Sequence, residues 1–148
     1  MRKKMLIYND ANGWSVKYDP SVISVNGGGP VTTFVYTGES AGTNMITVTY
    51  DVGKDAKTAI ADIAKGYGEN ATTSEGPFPG AEDVTGYWAT LPPAEDGSGL
   101  YETAIARDYM EGYLVFELSG HNSGNDEMDM AVSDALAAVI DSLEFTNN

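Results

Sequence analysis

A change of hydrophobic period in the first half of the chain constrains the fold more than any other feature. From Asn44 to Tyr50 the sequence NMITVTY places Ile46, Val48 and Tyr50 on one side of an extended chain, the pattern of a half-buried β-strand. From Asp55 to Tyr67 the apolar residues recur every three or four positions, which predicts an amphipathic helix capped by the Asp55 side chain. A strand followed closely by a helix indicates a domain that mixes both kinds of element.

The rest of the chain repeats these two patterns. Strands are predicted over residues 5–8, 14–18, 22–25, 31–36, 84–91, 100–110 and 113–119, and a second helix over Asp126 to Leu143. The sequence ENATTSEGPFPGAED, residues 69–83, is predicted to be a long loop, and Glu111-Gly112 a hairpin turn. Because hairpins dominate, we expect one α+β domain over residues 1–148, with a mostly antiparallel sheet flanked by the two helices in an α/β/α sandwich.

The net charge narrows the range of partners. The chain of 148 residues has 22 acidic and 8 basic residues, a formal charge of −14 at pH 7. Such a field repels nucleic acid and anionic membranes, favours a monomer and attracts a basic partner. We therefore expect no nucleic-acid binding and, as partner, a protein with a basic surface.

Cysteine content and hydropathy exclude further classes. The chain has no cysteine, which excludes disulfides, thiolate catalysis and cysteine-ligated zinc. No apolar run is long enough to predict a membrane-spanning helix. The opening MRKKMLIY has only four apolar residues after its basic start, too few for the core of a signal peptide. Either the protein is cytoplasmic, or it is exported and this sequence lacks the targeting segment. The acidic, lysine-poor composition rich in Tyr, Gly, Thr and Asn favours export.

Three stretches resemble the PsbP-like superfamily. They are GWSVKYDPSVISV at residues 13–25, VTGYWATL at 84–91 and VIDSLEF at 139–145. The family's opening motif leads from a small residue and an aromatic into a short strand that ends in Tyr-Pro, whereas here Asp19 separates Tyr18 from Pro20. The superfamily includes an extrinsic subunit of photosystem II, a Ran-binding nuclear-transport factor and bacterial exported lipoproteins.

The resemblance implies an antiparallel sheet flanked by helices and a function in binding other macromolecules. It also implies the soluble part of an exported bacterial lipoprotein, which would be lipid-anchored in its full-length form. Members share no catalytic residue set, so no active-site residue is carried over. We expect a non-catalytic binding or accessory domain with no metal ion and no cofactor.

Two alternatives to a binding domain remain open. His121, the only histidine, lies in SGHNSGND and would be the general base of a small hydrolase that also uses nearby carboxylates. A group of oxygen-bearing side chains would make a calcium-stabilised extracellular module, but it also fits a helix start with Ser123 and Asp126 in a capping pattern. The members of this group are Asn125, Asp126, Glu127 and Asp129.

Two loops are the candidates for ligand binding. SEGPFPGAED places Phe78 between two prolines, in a segment predicted not to join a β-ladder. PPAEDGSG places Glu95 and Asp96 in a proline-introduced turn. If the loops adjoin, they form a mixed apolar and acidic patch for a basic partner. The alternative for Phe78 is that its ring folds back onto the core.

Overall fold

The computed structural model describes residues 5–27, 29–40, 42–78, 81–92 and 100–145, with the side chains of residues 81 and 82 excepted. Helix α1 spans Ala56–Tyr67 and helix α2 spans Asp126–Asp141. The strands described are β1 Leu6–Asn9, β2 Trp14–Tyr18, β3 Ile23–Asn26, β4 Val31–Tyr36, β5 Met45–Val52, β6 Thr72–Phe78, β7 Ala81–Leu91, β8 Leu100–Tyr109, β9 Gly112–His121 and β10 Glu144–Phe145.

The strands form two sheets. The larger has seven strands in the order β3-β4-β5-β9-β8-β7-β6, and the smaller has three in the order β1-β2-β10. Every strand pairing described in the two sheets is antiparallel. The α+β class with mostly antiparallel sheet is therefore confirmed, while the first two strands belong to a separate small sheet.

Each face of the large sheet has its own apolar cluster. Alternate residues of a strand point to opposite faces, and in β8 Ala104 and Ala106 pack under α1 whereas Ile105 joins the opposite cluster. The α1 cluster is small and rich in alanine. The other is larger and joins the sheet to α2 and the small sheet through large side chains such as Trp14, Phe116 and Leu136.

Local capping accounts for the bounds of the helices. The Asp55 side chain accepts a hydrogen bond of 2.8 Å from the backbone N–H of Thr58, so the predicted N-cap of α1 is confirmed. In α2 the cap is Asn125, whose Oδ1 accepts from the backbone N–H of Met128 at 3.2 Å. The capping pattern of Ser123 with Asp126 is wrong, because Ser123 donates to Asp129 through both its N–H and its hydroxyl.

The predicted loop over residues 69–83 is wrong. The segment contains β6, which pairs with β7, and Pro77 lies opposite Thr85 in that ladder. Proline is tolerated because β6 is an edge strand of the large sheet, where one side of the backbone needs no partner. The register shifts between Pro77 and Phe78, so the strand bends towards the core at its end.

The hairpin between β8 and β9 turns one residue earlier than predicted. Tyr109 pairs with Gly112, so the turn residues are Met110 and Glu111, with Met110 at a positive φ of 53°. Gly112 is the first residue of β9, where a Cβ would overlap the carbonyl oxygen of Asp51 in β5. The glycine therefore serves the close approach of two strands rather than the turn.

Candidate functional site

Helix α2 carries the most one-sided charge among the described elements. It contains five acidic residues and no basic one: Asp126, Glu127, Asp129, Asp134 and Asp141. Helix α1 and the residue before its cap carry three lysines, Lys54, Lys57 and Lys65. Asp55 and Asp62 offset two of these lysines, so α1 with its cap is close to neutral while α2 is strongly acidic.

A groove runs along α2. It consists of two adjoining cavities of about 420 Å³ and 300 Å³, which share Tyr36 and Ala131 in their linings. One wall is α2, and the other includes Val22, just before β3, and Tyr36, at the end of β4. We call this feature the α2 groove.

The apolar part of the α2 groove follows from the residue sizes on α2. Val132, Leu136 and Val139 form the buried stripe of the helix. A second stripe beside it consists of three small residues that line the groove: Ala131, Ala135 and Ala138. Small side chains leave space above the partly buried Val22 and Tyr36, which a larger residue on α2 would fill.

Carboxylates line the α2 groove from both walls. They are Asp19, Glu39, Glu127 and Asp134, and the described lining contains no lysine, arginine or histidine. Asp19 accepts from the N–H and the hydroxyl of Ser21 at 2.9 and 2.6 Å. The ion pair of Lys54 with Asp62, at 2.8 Å, lies at α1 and therefore neutralises none of the groove carboxylates. The groove thus combines an apolar floor with a negative rim, which suits a cationic amphipathic ligand.

Of the three residues in the predicted binding patch, the structure describes only Phe78. Phe78 is 1% exposed and packs its ring against Phe116 and Phe145, with centroids 6.0 Å apart in both pairs. Its placement in a surface loop is wrong, and the alternative that the ring covers the core is the one observed. Glu95 and Asp96 lie outside the described residues.

His121 ends β9 and is held by backbone contacts. Its Nδ1 lies 3.0 Å from the carbonyl oxygen of Thr43, which can only accept, so Nδ1 donates. Its own N–H donates to Asn44 Oδ1 at 2.8 Å. The nearby Ser123 hydroxyl bonds to Asp129 at 2.8 Å. The described contacts of His121 therefore include no hydroxyl nucleophile.

Two members of the group at the start of α2, Asn125 and Asp129, hold the backbone at the helix start through hydrogen bonds. The backbone N–H and then the hydroxyl of Ser123 hold the pKa of Asp129 below its usual range. Asn125 caps the helix, and Asp126 and Glu127 lie exposed in its first turn. In the part of the chain that the structure describes, no three His, Asp or Glu side chains come together as a metal site would require.

A buried arginine is a feature that the sequence patterns did not predict. Arg107 is 4% exposed and stacks over the rings of Phe145, Tyr109 and Phe78, at 4.5, 5.0 and 5.8 Å from their centroids. Its Nε donates to the Asp108 carbonyl at 2.9 Å, whereas Nη1 has no hydrogen-bond partner within the described residues. The signal was present, because Arg107 alternates with Ile105 and Tyr109 on the inner face of β8.

The α2 groove was also missed, since its walls are far apart in the sequence. The signal available was a run of alanines beside acidic residues on one predicted helix.

Of the helices described, none is long and apolar enough to cross a membrane.

Neither a protein-family model nor a curated protein matches the chain. A match among solved structures is the 1.50 Å crystal structure of a protein from Bacteroides thetaiotaomicron VPI-5482, at 17% identity and a TM-score of 0.48. The match covers 100% of this chain and 50% of that one, so this chain spans half the length of the protein it matches.

Proposed function

We propose that this protein is a non-catalytic binding domain that holds a basic segment of a partner protein in the α2 groove. The observation that carries the proposal is the groove itself, whose apolar floor is rimmed by carboxylates from two walls and by no basic residue among those described. A net charge of −14 points to the same class of partner.

The two parts of the groove have different roles in binding. Apolar side chains buried on the floor supply affinity, because removing apolar surface from water is favourable. The carboxylates steer a cationic segment towards the groove and reject acidic ones. Glu127 and Asp134 come from α2 and Glu39 from the opposite wall, so a bound cation meets negative charge on both sides.

A peptide titration tests the groove. The probe is an amphipathic peptide of lysine and leucine, with a peptide in which glutamate replaces lysine as the negative partner control. We expect the double variant Glu127→Gln/Asp134→Asn to weaken binding of the lysine peptide by about tenfold or more. The matched control Glu69→Gln/Glu75→Gln makes the same charge change at exposed positions outside the groove, and we expect a change of about twofold. Equal losses in both double variants, or no binding of the lysine peptide, would overturn the proposal.

We also propose the wider assignment made from the sequence: a PsbP-like α/β/α sandwich, monomeric, forming the soluble part of an exported bacterial lipoprotein. The motif residues of GWSVKYDP support it, since they lie on β2 and its following turn. The helices α1 and α2 pack with opposite apolar clusters of the large sheet, which agrees with a sandwich.

The compartment is tested in the source organism. We expect the gene to encode an export signal with a lipid-attachment cysteine ahead of this sequence, and the protein to fractionate with membranes until that cysteine is replaced. A protein found only in the cytoplasmic fraction would contradict this assignment without affecting the groove.

A further inference from the structure

We infer that the partner segment binds as an amphipathic α-helix lying alongside α2. The inference rests on the proposed function and specifies its ligand. It follows from the length of the α2 groove, from the residues of its walls and from the spacing of its carboxylates.

The α2 groove has the length of a short helix. Its lining on α2 runs from Glu127 to Ala138. At a rise of 1.5 Å per residue this is roughly 17 Å, or about three helical turns. A helical ligand of this length presents three to four apolar side chains to one side.

The walls favour a ligand that satisfies its own backbone. The strand that contributes Tyr36 is β4, and it is paired on both sides, with β3 and β5. The other wall is α2, whose backbone groups bond within the helix. An extended segment in the groove would therefore find no free strand edge along β4 for its N–H and C=O groups. Val22 precedes the edge strand β3, but its N–H already donates to the Asp19 carbonyl and its carbonyl accepts from the Thr37 N–H. A helical segment forms its backbone hydrogen bonds within itself and therefore needs no strand edge.

The alanine stripe permits a second helix to approach α2 closely. Ala131, Ala135 and Ala138 recur at intervals of four and three, so they lie along one side of α2. Helices pack at interaxial distances of 8–10 Å depending on the side chains between them, and alanine favours the short end. Tyr36 and Val22 would then cover the lower side of the added helix.

The carboxylates predict the pattern of the ligand. Glu127 and Asp134 are seven positions apart on α2, which places them on the same side two turns apart. A helix packed alongside meets both with lysine or arginine residues at the same seven-residue interval. Its apolar residues at the intervening third and fourth positions contact the alanine stripe.

The experiment compares three peptides of about 18 residues. The first has lysines seven apart with leucines at the intervening third and fourth positions, and the second has the same composition arranged with a period of two. The third is the first with a central proline, which breaks a helix at a cost of about 3 kcal/mol. We expect the first to bind most tightly and to gain helical circular dichroism, and the proline to weaken binding by about tenfold or more.

A pair of protein variants separates this inference from the proposed function. Ala131→Trp fills the α2 groove, whereas Ala137→Trp adds the same side chain to an exposed position of α2 outside it. We expect only Ala131→Trp to weaken binding of the first peptide, with thermal melting confirming that both variants fold. If Ala131→Trp weakens all three peptides equally, the groove is the site but the helical ligand is wrong. If the two variants behave alike, the groove is not the site and both proposals fail.

Discussion

Arg107 and Glu117 show how position within the sheet changes the energy of a single charged side chain. Burial lowers the pKa of the Arg107 guanidinium, because the charged form loses its water. Stacking on an aromatic ring contributes about 0.5–2 kcal/mol, whereas removing a charge from water costs several kcal/mol. With Nη1 unpartnered among the described residues, desolvation exceeds the gain from stacking.

We predict that Arg107→Met leaves the protein as stable as the parent, or more stable by about 1 kcal/mol, because methionine keeps the contacts with Phe145 without a buried charge. Arg107→Ala should be less stable than Arg107→Met by about 2 kcal/mol, because it leaves a cavity. Urea unfolding followed by tryptophan fluorescence measures both. A loss of more than about 2 kcal/mol in Arg107→Met would show that the guanidinium is itself stabilising.

Glu117 lies on the α1 side of the large sheet, beside Glu102 and Tyr67. Burial and then the charge of Glu102 raise the pKa of Glu117 above the ordinary value of 4.5. The pKa of the Tyr67 phenol is raised by burial and by both glutamates. When pH rises above 4.5, the unfolded chain releases the Glu117 proton before the folded protein does. The contribution of Glu117 to the free energy of unfolding therefore falls as the pH rises from 4.5 to above its folded pKa.

We predict that Glu117→Gln raises the unfolding free energy at pH 7, on the order of 0.5 kcal/mol because the site is partly screened by water. The gain should disappear as the pH falls below 4.5, where the glutamate is protonated in both states. Urea midpoints at three pH values measure this. The control is Glu144→Gln, an exposed position, and an equal gain there would attribute the effect to net charge alone.

At the level of the elements, the close contact between strands β5 and β9 depends on a glycine at position 112. Strands β5 and β9 pair along eight residues, ending at Val52 opposite Gly112. There the backbone of β5 occupies the place of a Gly112 side chain. At Gly66, near the end of α1, an added Cβ would meet no atom within 4 Å among the described residues. The same substitution should therefore have opposite effects at these two positions.

We predict that Gly112→Ala lowers the free energy of unfolding by about 2–4 kcal/mol, because the strands must separate to admit the methyl group. Gly66→Ala should raise it by about 0.5–1 kcal/mol through helix propensity. Chemical denaturation of the two variants gives both values. If Gly112→Ala is neutral, the close approach of β5 and β9 does not exist in solution.

At the level of the whole molecule, the charge is large and unevenly distributed. Helix α2 has five acidic residues and no basic one, whereas residues 54–67 have three lysines and two aspartates, and the two helices pack with opposite clusters. Self-repulsion among the excess carboxylates destabilises the compact state, and salt screens it over a Debye length of about 10 Å at 0.1 M. Salt should therefore act in opposite directions on stability and on binding.

We predict that the melting temperature rises by a few degrees between about 20 mM and about 200 mM NaCl, while the affinity for the lysine peptide falls. The variant Glu127→Gln/Asp134→Asn should show a smaller change in both, since it removes two of the carboxylates at the α2 groove. Thermal melting and peptide titration at matched salt concentrations measure the two effects. A melting temperature that is constant or falls with salt would contradict the role given to self-repulsion.

Local patterns in the sequence by themselves determined most of the elements. Strands β2 and β4 and helix α1, with its Asp55 cap, follow from side chains within a few positions of one another, and their predicted bounds agree with the structure to within about one residue. Net charge likewise depends on composition alone, and it predicts the same class of partner that we propose for the α2 groove.

Only the tertiary structure decided which residues lie at a sheet edge, which are buried in the core and which line the α2 groove. Pro77 belongs to a strand because β6 lies at the edge of the sheet, and Arg107 is buried because Phe78 and Phe145 converge on it from distant parts of the chain. The α2 groove joins residues from Met5 to Ala138. Hydrophobic periodicity records which side of an element is apolar, but what that side meets depends on contacts between residues far apart in the sequence.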